Sequence, residues 1–446
     1  MAQFKISRKN MKIRTNASNI STPYLFVLTL FISVFGLNPG QLLEAAEAQY
    51  KNEGAPAASV QQDASTATMK TEKTDHSKHK MPPKPDGVIS LDIVEKKNKI
   101  YLLLGLNENG KQSVVLKTSG DSGKTWSNPV AVDAGQTLKP SLARSNDARL
   151  AVSGDHLLAF WTSYKEGASH SAGPMVIARS IDGGQHWQPS SSPTDWNEGS
   201  HGFFATDGDE KQLHLVWLDS RHGRSEIKGT QGIRHAHSVD GGLSWSDTIT
   251  LDEVTCACCW TSARLHQDTL HVLYRDKQPS DMSFGTLRGQ NWQRLGTVGE
   301  FNWFFEGCPH IGGGMAFGQG EYRNHVHTVV GTGHPEHSGI YYLQSTDGGK
   351  QWSAPLRMSD DSGLHGDVAI NEYGRLVVVW DGFAENGLAI FAAEKREDGT
   401  FSDPVRVSSP DVRAAFPRVV PAGKEFLIVW TQSKDGKREE LGMQHF

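Results

Sequence analysis

The amino-acid sequence predicts an all-β fold over residues 87–446, arranged as a six-bladed β-propeller. Three observations support this prediction. The pattern Ser-x-Asp-x-Gly-x-x-Trp occurs four times, two weaker copies continue the same spacing, and short alternating apolar segments lie between the copies. Six units with a period of about fifty to sixty residues are typical of propellers, whose blades are small antiparallel sheets.

The repeated pattern has a direct structural interpretation. In each copy the aspartate can accept N–H groups within a turn, the glycine supplies a positive φ, and the tryptophan fills space between sheets. We therefore interpret the copies as hairpin-closing turns. The complete copies begin at Ser119, Ser180, Ser238 and Ser345, and the weaker ones at Gly289 and Glu397.

Residues 1–48 have the organisation of an export signal. A basic region precedes a mostly apolar run of fourteen residues, 24–37, and Ala46-Glu47-Ala48 fits a small-x-small cleavage site. The run is shorter than the roughly 20 apolar residues that a membrane span needs, although an uncleaved anchor is the alternative. We expect a periplasmic or secreted protein with no membrane span in the mature chain.

Residues 49–86 lack a periodic apolar pattern, and their polar composition predicts a flexible linker. The segment contains His76, His79 and Met81, which are side chains that suit copper. The alternative is a polar tail in which these residues occur by chance.

The bulk composition limits the possible partners. The net charge is −5, so the sequence offers no broad basic surface for nucleic acid, and we expect none to bind. We expect a monomer that binds a small molecule, a glycan or a metal ion. The four cysteines form a cluster rather than a spread framework of disulfides, at Cys256, Cys258, Cys259 and Cys308.

The four complete turns resemble those of the sialidase-like Asp-box (BNR repeat) superfamily, and the resemblance covers nearly all of residues 87–446. It implies a sialidase-like propeller. It implies no particular activity, because the superfamily includes hydrolases, lectin-like modules and proteins without an assigned role.

The residues that the resemblance implies for a sialidase are incomplete in this sequence. Sialidases bind the substrate carboxylate with three arginines, the first from an Arg-Ile-Pro motif, but residues 87–118 contain no arginine. The family's tyrosine nucleophile has no clear counterpart, since the last tyrosine, Tyr373, lies in a predicted hairpin turn. Candidate catalytic residues for such a hydrolase are Arg275, which would bind the anionic substrate, and Asp276 as acid or base. Arg234 and Arg418 are further candidate arginines, and Glu306 and Asp367 are further candidate carboxylic acids.

Alignment of the repeated units predicts an axial pocket. In a propeller the first strand of each blade lies along the central axis, and the starts of these strands share one face. The four cysteines fall at such starts, and so do His201, His310 and His365. We therefore expect a Cys/His pocket around the axis.

Three interpretations of the cysteines remain open. In an oxidising compartment Cys308 could form a disulfide with one of the other three. Thiolates together with imidazoles could instead bind a metal, with copper favoured and zinc as the second choice. A free redox thiol is the third interpretation. Five segments also resemble an exported bacterial branch of the superfamily with a Cys-x-Cys-Cys motif, for which no reaction is implied; they are 251–262, 274–276, 308–309, 201–203 and 217–221.

The sequence thus supports three hypotheses for function, which differ on whether the chain is an enzyme. The first is metal handling or redox chemistry in the Cys/His pocket. The second is a sialidase-type glycoside hydrolase acting on anionic glycans. The third is a non-catalytic propeller that binds a glycan or a protein and uses the cysteines as a disulfide staple.

Overall fold

The computed structural model describes residues 84–164, 173–194, 199–221, 230–307, 309–385 and 387–446. These ranges contain twenty-seven β-strands and one short 3-10 helix, Gly320–Tyr322, and none of them forms a helix able to cross a membrane. The predicted signal segment, the linker residues His76, His79 and Met81, and Cys308 lie outside the described residues.

The strands form antiparallel groups in chain order. Within each group, every strand pairs with the strand that follows it in the sequence. The first two groups are β1 (Asp86–Lys96), β2 (Lys99–Glu108), β3 (Lys111–Ser119), β4 (Val130–Ala131), and β5 (Arg149–Ser153), β6 (His156–Thr162), β7 (Met175–Ser180), β8 (Gln188–Pro189). The third and fourth are β9 (His201–Gly208), β10 (Leu213–Asp219), β11 (Thr230–Ser238), β12 (Ile249–Cys256), and β13 (Ser262–His266), β14 (Thr269–Arg275), β15 (Met282–Arg288), β16 (Asn291–Val298).

The remaining strands complete the series. The fifth and sixth groups are β17 (Gly313–Phe317), β18 (Val326–Thr332), β19 (Gly339–Ser345), β20 (Leu356–Arg357), and β21 (Gly366–Ile370), β22 (Leu376–Ala384), β23 (Gly387–Glu394), β24 (Val405–Arg406). The last group has three strands, β25 (Arg413–Ala422), β26 (Glu425–Ser433) and β27 (Arg438–His445).

The all-β prediction is confirmed, and the four-stranded sheets are of the kind found in propeller blades. The second strands are the most completely buried; every residue of β10 and β18 is buried, because both faces of these strands pack against neighbouring sheets. The first strands of successive groups contact one another in a closed ring, from β1 through β5, β9, β13, β17 and β21 to β25 and back to β1. They line a central cavity of about 340 Å³.

The predicted count of six blades is not confirmed. The described strands form seven antiparallel groups, because β1 to β4 and β25 to β27 are separate groups that join in one seven-stranded sheet. The junction is a short parallel pairing of Asp86 with Arg438 and of Gly87 with Glu439. The sequence count was based on the repeated turns, of which there are six, whereas the three-stranded last group contains none.

The repeated turns have the predicted geometry. In the first, Ser119 Oγ donates to Asp121 Oδ1 at 2.7 Å, and Asp121 Oδ1 accepts the N–H of Thr125 at 2.9 Å. Hydrogen bonds from the Thr125 hydroxyl and N–H lower the pKa of Asp121 to about 2. Gly123 has a φ of +87°, and a Cβ at this position would clash with Leu427 of the neighbouring group. These contacts therefore fix the hairpin.

Buried histidines between the sheets predict a loss of stability in acid. Burial lowers the pKa of His214 and of His271 to about 4, whereas a histidine of the unfolded chain titrates near 6.5. The unfolded chain therefore binds protons that the folded chain does not, so stability is full above about pH 6.5 and falls as the pH drops toward 4. At pH 5 each of these histidines lowers the free energy of unfolding by about 2 kcal/mol.

The measurement is urea unfolding at pH 7.5 and at pH 5. His271→Gln is expected to reduce the difference in unfolding free energy between the two pH values, because one titrating group is removed. An unchanged difference in the variant would show that His271 does not carry this effect.

Candidate thiol centre

The Cys-x-Cys-Cys motif lies between the last strand of the third group, β12, and the first strand of the fourth, β13. The side chains of Cys256, Cys258 and Cys259 are all buried, and their three sulfur atoms lie within 4.8 Å of one another. Because β12 ends at Cys256, the chain turns inward there and carries the next residues to the start of an innermost strand. The three cysteines of the motif thus form a buried sulfur cluster.

One disulfide is formed within the motif, between Cys256 and Cys259. The Sγ atom of Cys258 lies 3.9 Å from the Sγ atom of Cys256. The sequence analysis considered only disulfides to Cys308, which lies outside the described residues, and did not foresee a bridge across two intervening residues.

Residues on either side of position 308 contact the end of β14 and the residues that follow it. Lys277 Nζ lies 3.4 Å from the carbonyl oxygen of Gly307, and Arg275 Nε donates to the carbonyl oxygen of Ile311 at 2.8 Å. Arg275 is in turn near enough to Cys258 for an electrostatic attraction between the two side chains. A Cβ at Gly312 would clash with Trp260, which directly follows the motif. Gly307, Ile311 and Gly312 therefore lie close to Lys277, Arg275 and Trp260.

Two of the candidate histidines lie beside aspartates. His201 Nε2 lies 3.6 Å from Asp219 Oδ2, and His365 Nδ1 lies 2.7 Å from Asp381 Oδ2. Burial acts to raise the pKa of Asp381, but interactions with His365 and the N–H of Phe416 outweigh it and lower the pKa. His201 begins β9 and Asp219 ends β10, whereas His365 directly precedes β21 and Asp381 lies within β22.

The third candidate histidine, His310, has a positive φ of 54° and stacks on Phe203 with a centroid separation of 6.4 Å. Among the described residues only the three motif cysteines form a compact group of metal-ligating atoms. Of the predicted ligands that the structure describes, the three cysteines are thus brought together, and His201, His310 and His365 are not members of their group.

Trp260 is the centre of the contacts around the axis, and the sequence analysis did not select it. Its indole Nε1 donates to the carbonyl oxygen of Ser145 at 3.0 Å, and the Arg418 guanidinium lies 4.1 Å from its ring centroid. The rings of His365 and Phe416 lie 5.2 and 5.7 Å from its own. These partners come from three different strand groups or the segments before them. The only sequence signal was a large aromatic side chain directly after Cys259.

Arg275, a candidate for substrate binding, uses its guanidinium on the main chain. Its Nε, Nη1 and Nη2 atoms donate to the carbonyl oxygens of Ile311, Ser280 and Gly331 at 2.8, 2.5 and 2.6 Å. The side chain is buried over Trp303, and burial lowers its pKa to about 10. This arrangement cross-links three segments of the chain and gives each of the three guanidinium nitrogens a main-chain acceptor.

Asp276, the candidate acid or base, accepts hydrogen bonds from Arg294 Nη2 at 2.5 Å and from the N–H of Lys277 at 2.7 Å. Its pKa is raised, because burial outweighs the opposing effect of these contacts. Its carboxylate is thus in an ion pair with Arg294.

Comparison with known proteins gives similarity of fold only. No protein-family model and no curated protein matches the chain. Among solved structures, the polysaccharide lyase Uly1 aligns over 85% of this chain and 93% of its own, at 10% identity and a TM-score of 0.51. An intramolecular trans-sialidase from Ruminococcus gnavus aligns over 81% and 94%, at 13% identity and a TM-score of 0.45. A protein of unknown function from Dyadobacter fermentans aligns over 81% and 97%, at 14% identity and a TM-score of 0.45.

Proposed function

We propose that this chain is an exported sialidase-like propeller whose four cysteines form a redox-responsive centre for metal handling. Copper is the favoured ion and zinc the second choice. The observation that carries the proposal is the placement of the Cys256, Cys258 and Cys259 sulfurs within 4.8 Å of one another in a buried site. In this proposal each strand group is one blade, and Cys308 supplies the fourth sulfur.

The disulfide makes metal binding depend on redox state. While Cys256 and Cys259 are bonded to each other, neither can act as a thiolate ligand. A dithiol reductant would break this bond by thiol–disulfide exchange; it supplies two electrons and is itself converted to a disulfide. The two cysteines then become thiols, which lose their protons when a metal binds.

The resulting donor set suits a soft ion. Three thiolates from a four-residue segment favour Cu(I) or Zn over Mg or Ca, which prefer oxygen ligands. The attraction between Cys258 and the Arg275 guanidinium favours a negatively charged sulfur in a site where burial opposes charge. The carboxylates nearest to the candidate histidines, Asp219 and Asp381, would orient His201 and His365 beside the centre.

Cys258→Ser tests this proposal while leaving the two bridged cysteines in place. We expect reduced wild-type protein to bind about one Cu(I) ion per chain in competition with a chromophoric chelator, and the variant to bind at least about tenfold more weakly. His214→Gln serves as the control, because it removes a buried histidine that lies outside the centre. Equal copper affinity in wild type and Cys258→Ser, or no uptake by reduced wild type, would refute the proposal.

A second candidate function is a non-catalytic binding propeller in which the cysteines are a staple. The observation that favours it is the disulfide between Cys256 and Cys259. If the cysteines are only a staple, the reduced protein takes up no copper. If they form a metal centre, the reduced protein must take up copper. The hydrolase alternative receives less support, since the Arg275 nitrogens already donate to three carbonyl oxygens.

A further inference from the structure

Three histidines form a cluster on one face of the third strand group, outside the thiol centre. His214 lies on β10, and His235 and His237 lie on β11. His237 is directly opposite His214 across the two strands, and His235 is two residues away on the same face. The ring centroids lie 5.2, 5.7 and 6.1 Å apart. Alternation along two neighbouring strands thus brings three imidazoles together.

The cluster faces the fourth strand group, which shields most of it from water. The residues two positions along each strand, Val216 and Ile233, belong to a core cluster that also contains side chains of β13 and β14. His214 and His235 are buried, whereas His237 is partly exposed. His237 therefore gives the cluster one side that an ion can reach from solvent.

Hydrogen bonding within the cluster leaves a buried nitrogen unused. His214 Nδ1 and His235 Nε2 lie 2.9 Å apart, so one of these nitrogens donates to the other. Within the described part of the chain, His214 Nε2 is buried and has no hydrogen-bond partner, which is unfavourable. By contrast His327, buried at the equivalent position of β18, places its Nδ1 2.6 Å from the Tyr342 hydroxyl oxygen.

The electrostatic surroundings keep the buried rings neutral and favour a cation beside them. Burial, reinforced by His237, lowers the pKa of His214 to about 4, and burial also lowers the pKa of His235. Both rings are therefore uncharged at pH 7.5 and carry the lone pairs that metal ions bind. The carboxylate of Asp209 attracts positive charge at His214. No lysine or arginine of the described ranges contributes to either pKa.

We propose that His214, His235 and His237 bind one Zn(II) ion. The ion takes the place of the proton shared by His214 Nδ1 and His235 Nε2, and this proton is released to solvent. Two nitrogens on one tetrahedral zinc lie about 3.3 Å apart, so the 2.9 Å separation widens only slightly. The nitrogens of all three rings do not yet share one coordination sphere, so the partly exposed His237 ring turns toward the ion on binding.

The test is calorimetric titration of the full chain with zinc chloride at pH 7.5, in the Cys258→Ser background with the Cys256–Cys259 disulfide intact. This background lacks the reduced thiol centre, so the outcome is separate from that of the copper proposal. We expect saturable zinc binding, at least about tenfold weaker when His214→Gln or His237→Gln is added. His327→Gln is the matched control, because it removes an equally buried histidine, and it is expected to leave zinc binding unchanged.

Two further measurements exclude a variant that merely fails to fold and an ion bound elsewhere. Because His237 is only partly buried, His237→Gln is expected to keep a native near-UV circular dichroism spectrum. Zinc should raise the thermal unfolding midpoint of the background protein and not that of the His237→Gln variant. Absence of saturable zinc binding to the background protein would overturn the proposal. Equal zinc binding by both added histidine variants would place the ion elsewhere and would also overturn it.

Discussion

Trp260→Ala is expected to lower the free energy of unfolding by about 3–5 kcal/mol, which is the usual cost of removing a buried large aromatic side chain. Trp260 is 2% exposed and contacts Arg418, His365 and Phe416 from two other strand groups. Its removal would open a cavity at the place where the first strands meet, and little nearby can fill it. Urea unfolding at pH 7.5 measures the change.

Trp187→Ala is the matched control for this prediction. Trp187 belongs to a repeated turn and is only partly buried against the sheets. Its truncation is therefore expected to have a smaller effect than that of Trp260. If both variants lost equal stability, Trp260 would be an ordinary packing residue rather than the centre of the axial contacts.

Arg275→Met is expected to destabilise the protein by about 3–5 kcal/mol, because it leaves buried carbonyl groups without donors. The three carbonyl oxygens belong to Ile311, Ser280 and Gly331, which lie in three separate segments. Methionine fills much of the same volume, so most of the loss reflects the missing hydrogen bonds. Denaturant unfolding of oxidised protein is the measurement.

The control is Arg294→Met, which removes an arginine whose side chain is 43% exposed and pairs with Asp276. A partly exposed ion pair contributes about 1 kcal/mol or less, so this variant should remain close to wild type. If Arg275→Met left the free energy of unfolding nearly unchanged, the hydrogen bonds of Arg275 would not stabilise the fold, and its role would instead be ligand binding.

The strand groups with their repeated turns could be predicted from sequence because the signals are local. Ser119, Asp121 and Gly123 form their contacts within five residues, and the same spacing marks the other turns. The last group, β25 to β27, has strands of ordinary composition but no such turn. It is a separate group because β27 pairs with β1 over only two residues, in parallel, and this contact joins the two ends of the described chain, which no local pattern reveals.

The candidate site was predictable only in part. The period of the repeats predicted the cysteines at the starts of innermost strands. The structure places Cys256 at the end of β12 and the rest of the motif before β13, the first strand of the next group. The bridge between Cys256 and Cys259 depends on how the chain turns after β12, and spacing alone does not specify that turn. The importance of Trp260 and Arg418 arises where strands distant in sequence converge. Arg275 resembled a ligand-binding residue by type, whereas its acceptors are main-chain carbonyls that a residue pattern cannot show.

The most direct test of the thiol centre is a paired count of thiols and copper on one sample, taken before and after treatment with a dithiol reductant. Denatured, alkylated protein is expected to gain at least about two thiols on reduction, from the Cys256–Cys259 disulfide. Copper binding should rise from near zero to about one ion per chain in the same step. Newly formed thiols without any copper uptake would contradict the account and leave the motif as a structural staple.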